Sequence, residues 1–253
     1  MLEICNVSKK FSNKHTRTVH DNRDVLENVS FNVDDGDFVS IVGPSGCGKT
    51  TLINLIMGLD KPTSGEIFIN NKKVSGVGGD RALVFQENAL FPWLTVQQNI
   101  EVGLRVRGFR RAERNRIAER YLDIINLTDF RDYSIHQLSG GMKQRVAIAR
   151  ALAMESDILL MDEPFGAPDA NTKNTLHGEI LRIWQKTGRT IIFITHDVEE
   201  AVLLAKKVIV LGYAPDNVKE IIDIPLEYPR NGNPAVPEYV QRIKDVIARS
   251  AQQ

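Results

Sequence analysis

Short runs of apolar, β-branched residues alternate along this chain with longer stretches whose apolar positions recur every three or four residues. The short runs, at 38–42, 82–85, 158–162, 190–194 and 208–211, are compact enough to read as buried strands. Leu52, Ile53, Leu55, Ile56 and Leu59 carry the helical spacing after the first of them. Leu176, Ile180, Ile183 and Trp184 repeat it, with Asp169 as N-cap and Gly188 as C-terminal cap. Val236, Tyr239, Val240, Ile243, Val246 and Ile247 predict a packed amphipathic terminal helix. Strands alternating with helices predict a mostly parallel sheet covered on both faces.

Two regions depart from that rhythm. Residues 2–7, 26–33 and 66–70 read as strands of a separate N-terminal β part, the last ending at an Asn70-Asn71 corner. The polar stretch 12–24 between the first two holds His15, His20, Asp21 and Asp24, but at no spacing known for a metal site, and reads as a connection. From 87 to 155 the pattern turns helical, which predicts an inserted helical lobe. Leu90-Phe91-Pro92-Trp93-Leu94 is an apolar cluster broken by a proline that a helix interior would not accept.

Composition narrows the function classes. The 253 residues carry 32 Lys plus Arg against 32 Asp plus Glu, a neutral balance that argues against a dedicated nucleic-acid binder. Seven arginines between 105 and 120 face only Glu113 and Glu119, and read as a solvated helical face. Two cysteines, Cys5 and Cys47, make no disulfide framework and point to a cytosolic setting. The first residues lack a basic start followed by an apolar stretch. No apolar run approaches the roughly 20 residues that cross a bilayer. The expectation is a soluble protein that meets a membrane only by docking.

The chemistry centres on 43–51, Gly43-Pro44-Ser45-Gly46-Cys47-Gly48-Lys49-Thr50-Thr51. A glycine, four residues, then glycine, lysine and a hydroxyl residue between a strand and a helix is a phosphate-cradling loop. Its glycines let successive N–H groups turn inward, and the helix start adds unpaired N–H groups and a positive dipole end. That dipole is only about half a charge. Lys49 therefore supplies the full charge at the β- and γ-phosphates, and the Thr50 hydroxyl is placed to ligate Mg²⁺.

Asp162 and Glu163 close the strand 158–162, where one carboxylate can hold Mg²⁺ and the other polarise water. His196, just past 190–194, can orient that water at the γ-phosphate. Leu138-Ser139-Gly140-Gly141-Met142 is a second glycine-rich turn ahead of a helix, and predicts a second anion site without a carboxylate of its own.

In combination these motifs resemble the ATPase subunit of an ABC transporter, in the family's order and over nearly the whole chain. The resemblance identifies Walker A at 43–51, the Q-loop glutamine Gln86, the signature at 138–142, Walker B at 158–163 and the switch His196. Asp80-Arg81, 84–87, 89–93 and Met142 resemble the nitrate, sulfonate and taurine importer branch. It implies an α/β P-loop core with a mostly parallel sheet, an antiparallel N-terminal β part and an inserted all-helical subdomain. The expected partition is one domain: core 1–86 and 157–215, helical subdomain 87–156, and tail 216–253.

Further implications concern ligands and partners. ATP and Mg²⁺ are the cofactors, with Thr50, Gln86 and Asp162 at the metal and Glu163, His196 and Lys49 catalytic. Phe11 is the match for an adenine-stacking aromatic. A second ATPase subunit in a head-to-tail homodimer would cover the nucleotide with its signature residues, with D-loop Asp169 at that interface. Leu90, Phe91 and Trp93 would receive an integral membrane permease, with an extracytoplasmic solute-binding protein as an indirect partner. The chain would sit peripherally at the cytoplasmic side of the inner membrane and power import of a small anion.

Three departures from the family pattern stand out. Pro168 replaces the leucine usual before Asp169, and Pro168→Leu is expected to raise coupled turnover. Asp216-Asn217 stands where the family has a glycine turn, and both residues tolerate left-handed dihedrals. The tail is too short for the regulatory domain of some importer ATPases. Cys47, at a helix N-terminus, is expected to favour its thiolate. A soluble ABC-type ATPase acting on nucleic acid or ribosomes is the rival reading, but it expects paired cassettes, a coiled coil or a basic surface.

Overall fold

The computed structural model describes residues 1–11, 23–85, 88–165 and 170–250. They fall into two compact units, 1–78 with 190–253, and 79–189.

The first unit begins with β1 (Leu2–Phe11) and β2 (Arg23–Val33), an antiparallel pair with irregular register near Val7 and Lys9. Both run longer than the hydrophobic pattern predicts, because ladder pairs such as Lys10 with Asp24 continue into polar sequence. After β3 (Phe38–Val42) and α1 (Lys49–Met57), β4 (Ser64–Ile69) and β5 (Lys72–Lys73) complete an antiparallel sheet ordered β2-β1-β4-β5. Asn70 and Asn71 turn the β4–β5 hairpin at φ of 50° and 61°, the left-handed pair that a two-residue hairpin needs.

In the second unit, β6 (Arg81–Val84) pairs in parallel with β7 (Ile158–Asp162). The strand expected at 82–85 ends one residue early, and Phe85 is half exposed. Between them lie α2 (Val96–Val106), α3 (Arg111–Ile124), two short 3₁₀ turns and α4 (Gly140–Leu152), then α5 (Ala170–Thr187) after β7. Leu176, Ile180, Ile183 and Trp184 are all buried, and the Gly188 N–H closes α5 on the Trp184 carbonyl. Six of the seven arginines at 105–120 are exposed, as a solvated face requires, while Arg114 pairs with Glu101 at 3.3 Å.

The chain returns to the first unit with β8 (Thr190–Ile194), α6 (Val198–Leu204), β9 (Lys207–Leu211), β10 (Val218–Asp223) and α7 (Val236–Ser250). There β9, β3 and β8 lie side by side in parallel, and β10 joins β9 antiparallel. Every residue of β3 and β8 is buried, which explains their continuous apolar runs. Ile243 and Val246 bury the inner face of α7, which packs on α6, β9 and β10. The hydrophobic pattern did not signal β10, whose residues are mostly part-exposed on an edge. Among the described residues no helix is long and apolar enough to cross a membrane.

Candidate functional site

The loop 43–48 leaves the buried end of β3 and crosses the end of β9 at close range. A Cβ at Gly43 would lie 2.3 Å from the Leu211 carbonyl oxygen and 2.9 Å from Cys47 Sγ, so only glycine fits. Gly48 is the N-cap of α1 at φ 103°, a conformation closed to other residues. No side chain caps that helix, which leaves its first N–H groups for a ligand. Lys49 is buried, and its ammonium donates to the carbonyls of Gly43 at 2.8 Å and Pro44 at 3.0 Å. Ser45, Gly46 and Thr50 are exposed, while Pro44 and Thr51 are half-buried.

Cys47 reverses its expectation. Only 1% of it is exposed, and burial pushes its thiol above the ordinary value, outweighing the nearby Lys49 charge. Position at a helix start does not make a thiolate where the sulfur is cut off from water.

His196 belongs to the same unit and the same strand edge. Ile41 of β3 stands opposite Ile194 of β8, so Gly43 and His196 each follow that paired row by two residues. The Thr195 hydroxyl donates to Glu200 at 2.5 Å and accepts from the Asp197 N–H at 3.0 Å. Asp197 then caps α6 through the N–H groups of Glu199 and Glu200. His196 is exposed between two residues locked in this way. Phe11 ends β1 with 49% of its surface exposed and the Lys9 ammonium 5.0 Å from its ring centre. Asp24 pairs with Lys10 at 3.0 Å; His15, His20 and Asp21 lie outside the described residues.

The second unit holds the remaining chemistry. Asp162 and Glu163 are half-buried at the C-terminal end of β7. Glu163 has φ 43°, an unusual backbone for a residue with a side chain and one that clusters at functional positions. Ser139 caps α4 by accepting from the Met142 N–H at 3.3 Å, with Leu138 buried beneath it. Gly140 and Gly141 lie in the first helical turn, and neither has a left-handed φ. Nothing stands within 4 Å of where a Gly140 Cβ would be. A Gly141 Cβ would meet only the Leu176 side chain, at 3.6 Å, so packing alone does not demand glycine at either position.

Leu90 and Phe91 are half-buried, while Trp93 is 76% exposed, which removes internal packing as its role. The fully buried Asn99 shapes this segment, accepting from the Phe91 N–H and donating to the carbonyls of Phe91, Leu94 and Thr95. Nearby is a cleft of about 520 Å³ lined by Arg105, Arg111, Arg114, Arg131, Glu101 and Glu119 among others. Gln86, Pro168 and Asp169 lie outside the described residues. Sequence reasoning did not single out Asn99, nor Tyr213, whose hydroxyl donates to the Ser45 carbonyl, and it read Asn217 only as a turn residue, not as a donor to the Cys47 carbonyl.

Comparison with known proteins adds the following. The family described as ABC transporter matches residues 26–166. A nitrate import ATP-binding protein, NrtD of Synechocystis sp., is 47% identical over 91% of this chain and 86% of its own. A taurine import ATP-binding protein, TauB of Ruegeria pomeroyi, is 43% identical over 88% of this chain and 82% of its own. Among solved structures, a dimeric ATP-binding cassette in a post-hydrolysis state with ADP and Pi is similar at TM-score 0.73. It is 34% identical, over 90% of this chain and all of its own.

Proposed function

The chain belongs to the ABC transporter family, and on that premise we propose that it is the ATP-hydrolysing subunit of an importer for a small anion such as nitrate or a sulfonate. One observation carries the choice of solute class: identities of 47% and 43%, over most of the chain, to nitrate and taurine import ATP-binding proteins.

In this reading, loop 43–51 cradles the triphosphate with its N–H groups, and Lys49 exchanges its carbonyl partners for the β- and γ-phosphates. Thr50, Asp162 and Gln86 would hold the cation; a hydroxyl, a carboxylate and an amide are hard oxygen donors, which suit Mg²⁺. Mg²⁺ would neutralise charge on the phosphate oxygens. Glu163 accepts a hydrogen bond from the attacking water and so polarises it, and His196 orients that water. Phe11 offers its exposed ring to adenine. The start of α4 on a second subunit would approach the same nucleotide from across a two-fold interface, to which D-loop Asp169 would belong. Hydrolysis removes the γ-phosphate that holds the two copies together, which resets a permease docked at Leu90, Phe91 and Trp93. The chain thus works peripherally on the cytoplasmic side of the membrane, with a solute-binding protein as an indirect partner.

Deleting the gene and following uptake of labelled nitrate and taurine tests the proposal. Loss of uptake of one of them supports it. Unimpaired uptake of both, with the purified subunit still hydrolysing ATP, would overturn the import assignment.

A further inference from the structure

A phosphate-binding loop needs its N–H groups turned inward, and glycines only permit this; something must also hold the carbonyls outward. In a trans peptide the C=O and the next residue's N–H point in opposite directions. Fixing a carbonyl on the outside of the loop therefore aims the following N–H at the inside.

The turn between β9 and β10 supplies two such fixings. The Tyr213 hydroxyl donates to the Ser45 carbonyl at 3.0 Å. The Asn217 side-chain amide donates to the Cys47 carbonyl at 3.3 Å. Both loop peptides are trans, so the next N–H groups, of Gly46 and Gly48, are directed away from the turn. Asn217 is itself immobilised. It is fully buried, its Oδ1 accepts from the Glu27 N–H at 2.7 Å, and its Nδ2 also donates to Val25 and Gly212 carbonyls at 3.1 and 3.0 Å. The Gly212 N–H returns a bond to the Asn217 carbonyl at 2.7 Å. The turn is thus a closed unit, anchored to β2 on one side and to the phosphate loop on the other.

We propose that Tyr213 and Asn217 are positioning residues that preorganise the Gly46 and Gly48 N–H groups for a nucleotide phosphate. The inference rests on the reading of 43–51 as the phosphate site. Asp216, at φ 53°, supplies the left-handed step that a glycine would otherwise make. Asn217, directly after it, can then face inward. The departure from the family's glycine turn is in this view the source of the brace.

The test is calorimetric titration of the purified chain with MgADP, alongside steady-state ATPase kinetics. Tyr213→Phe removes one hydroxyl from a residue that is 44% exposed, so its melting temperature should match wild type. Its dissociation constant for MgADP is expected to rise roughly fivefold, the worth of one lost hydrogen bond, with KM for ATP rising more than kcat falls. Asn217→Asp keeps the acceptor for the Glu27 N–H but loses the donor to Cys47, and should raise both constants further. Should that variant not fold, Tyr213→Phe decides alone. A Tyr213→Phe protein with the wild-type dissociation constant and KM overturns the inference, provided wild type binds MgADP and Lys49→Ala binds it more weakly. If wild type itself fails to bind, the reading of 43–51 falls, and this inference with it.

Discussion

The Lys49 ammonium donates to the Gly43 carbonyl at 2.8 Å, so the loop 43–49 holds its own cation folded back over its first residue. A buried ammonium must be bonded to something. Here carbonyl oxygens occupy the position for which phosphate oxygens can compete. Charge-assisted bonds to phosphate are the stronger ones, so the exchange favours nucleotide. Lys49→Ala should lower MgATP affinity by about 1.5–3 kcal/mol, the range for bonds to charged groups, which isothermal titration will read. Wild-type affinity in that variant would contradict the assignment.

Glu163→Gln keeps the shape and the backbone step at φ 43° but loses the negative charge. ATP binding should survive, and hydrolysis should fall by about 10²- to 10⁴-fold, the usual contribution of a positioned base. The variant should elute as a dimer with MgATP and as a monomer without it. A monomeric, ATP-saturated variant would count against the shared-site mechanism.

Cys47 gives a pH signature with a definite sign. Its thiol is held above the ordinary value of 9.0 by burial, so the folded state binds this proton more tightly than the unfolded chain does. That contribution to stability is complete below the unfolded value and is lost as pH rises through the folded one. Thiol reagents at pH 8 should therefore modify the exposed Cys5 first and Cys47 slowly, and MgATP should slow Cys47 further. Peptide mapping after timed alkylation checks this. Equal rates at both cysteines would sink the burial argument.

Among the described residues Arg230 is the largest fully buried side chain, and it donates to the main-chain carbonyls of Val202, Ala205, Ile224 and Leu226. The guanidinium also lies 4.2 Å over the Tyr228 ring, whose hydroxyl bonds the Leu204 carbonyl. Three of these carbonyls lie at the end of α6, the helix that begins beside His196. Arg230→Met should destabilise the fold by about 3 kcal/mol, because buried carbonyls lose a charged donor. Urea denaturation measures it. A change below about 0.5 kcal/mol would place Arg230 among ordinary surface substitutions.

The alternating strand and helix runs, the loop 43–51, the carboxylates Asp162 and Glu163 at a strand end and His196 just past 190–194 were legible without coordinates. Each is written by neighbours in sequence: an apolar run for a buried strand, a glycine where the backbone must turn, a cap where a helix starts. Other features depended on residues brought together from far along the chain. Cys47 is disfavoured as a thiolate because its sulfur packs beside Gly43 and is shut off from water, a burial that helix position alone cannot report. Asn217 reaches the Cys47 carbonyl from 170 positions away, and only the pairing of β9 beside β3 makes that contact possible. Local pattern thus determined which groups this protein offers at the loop 43–51, while tertiary packing decided which way those groups face and which are shut off from water.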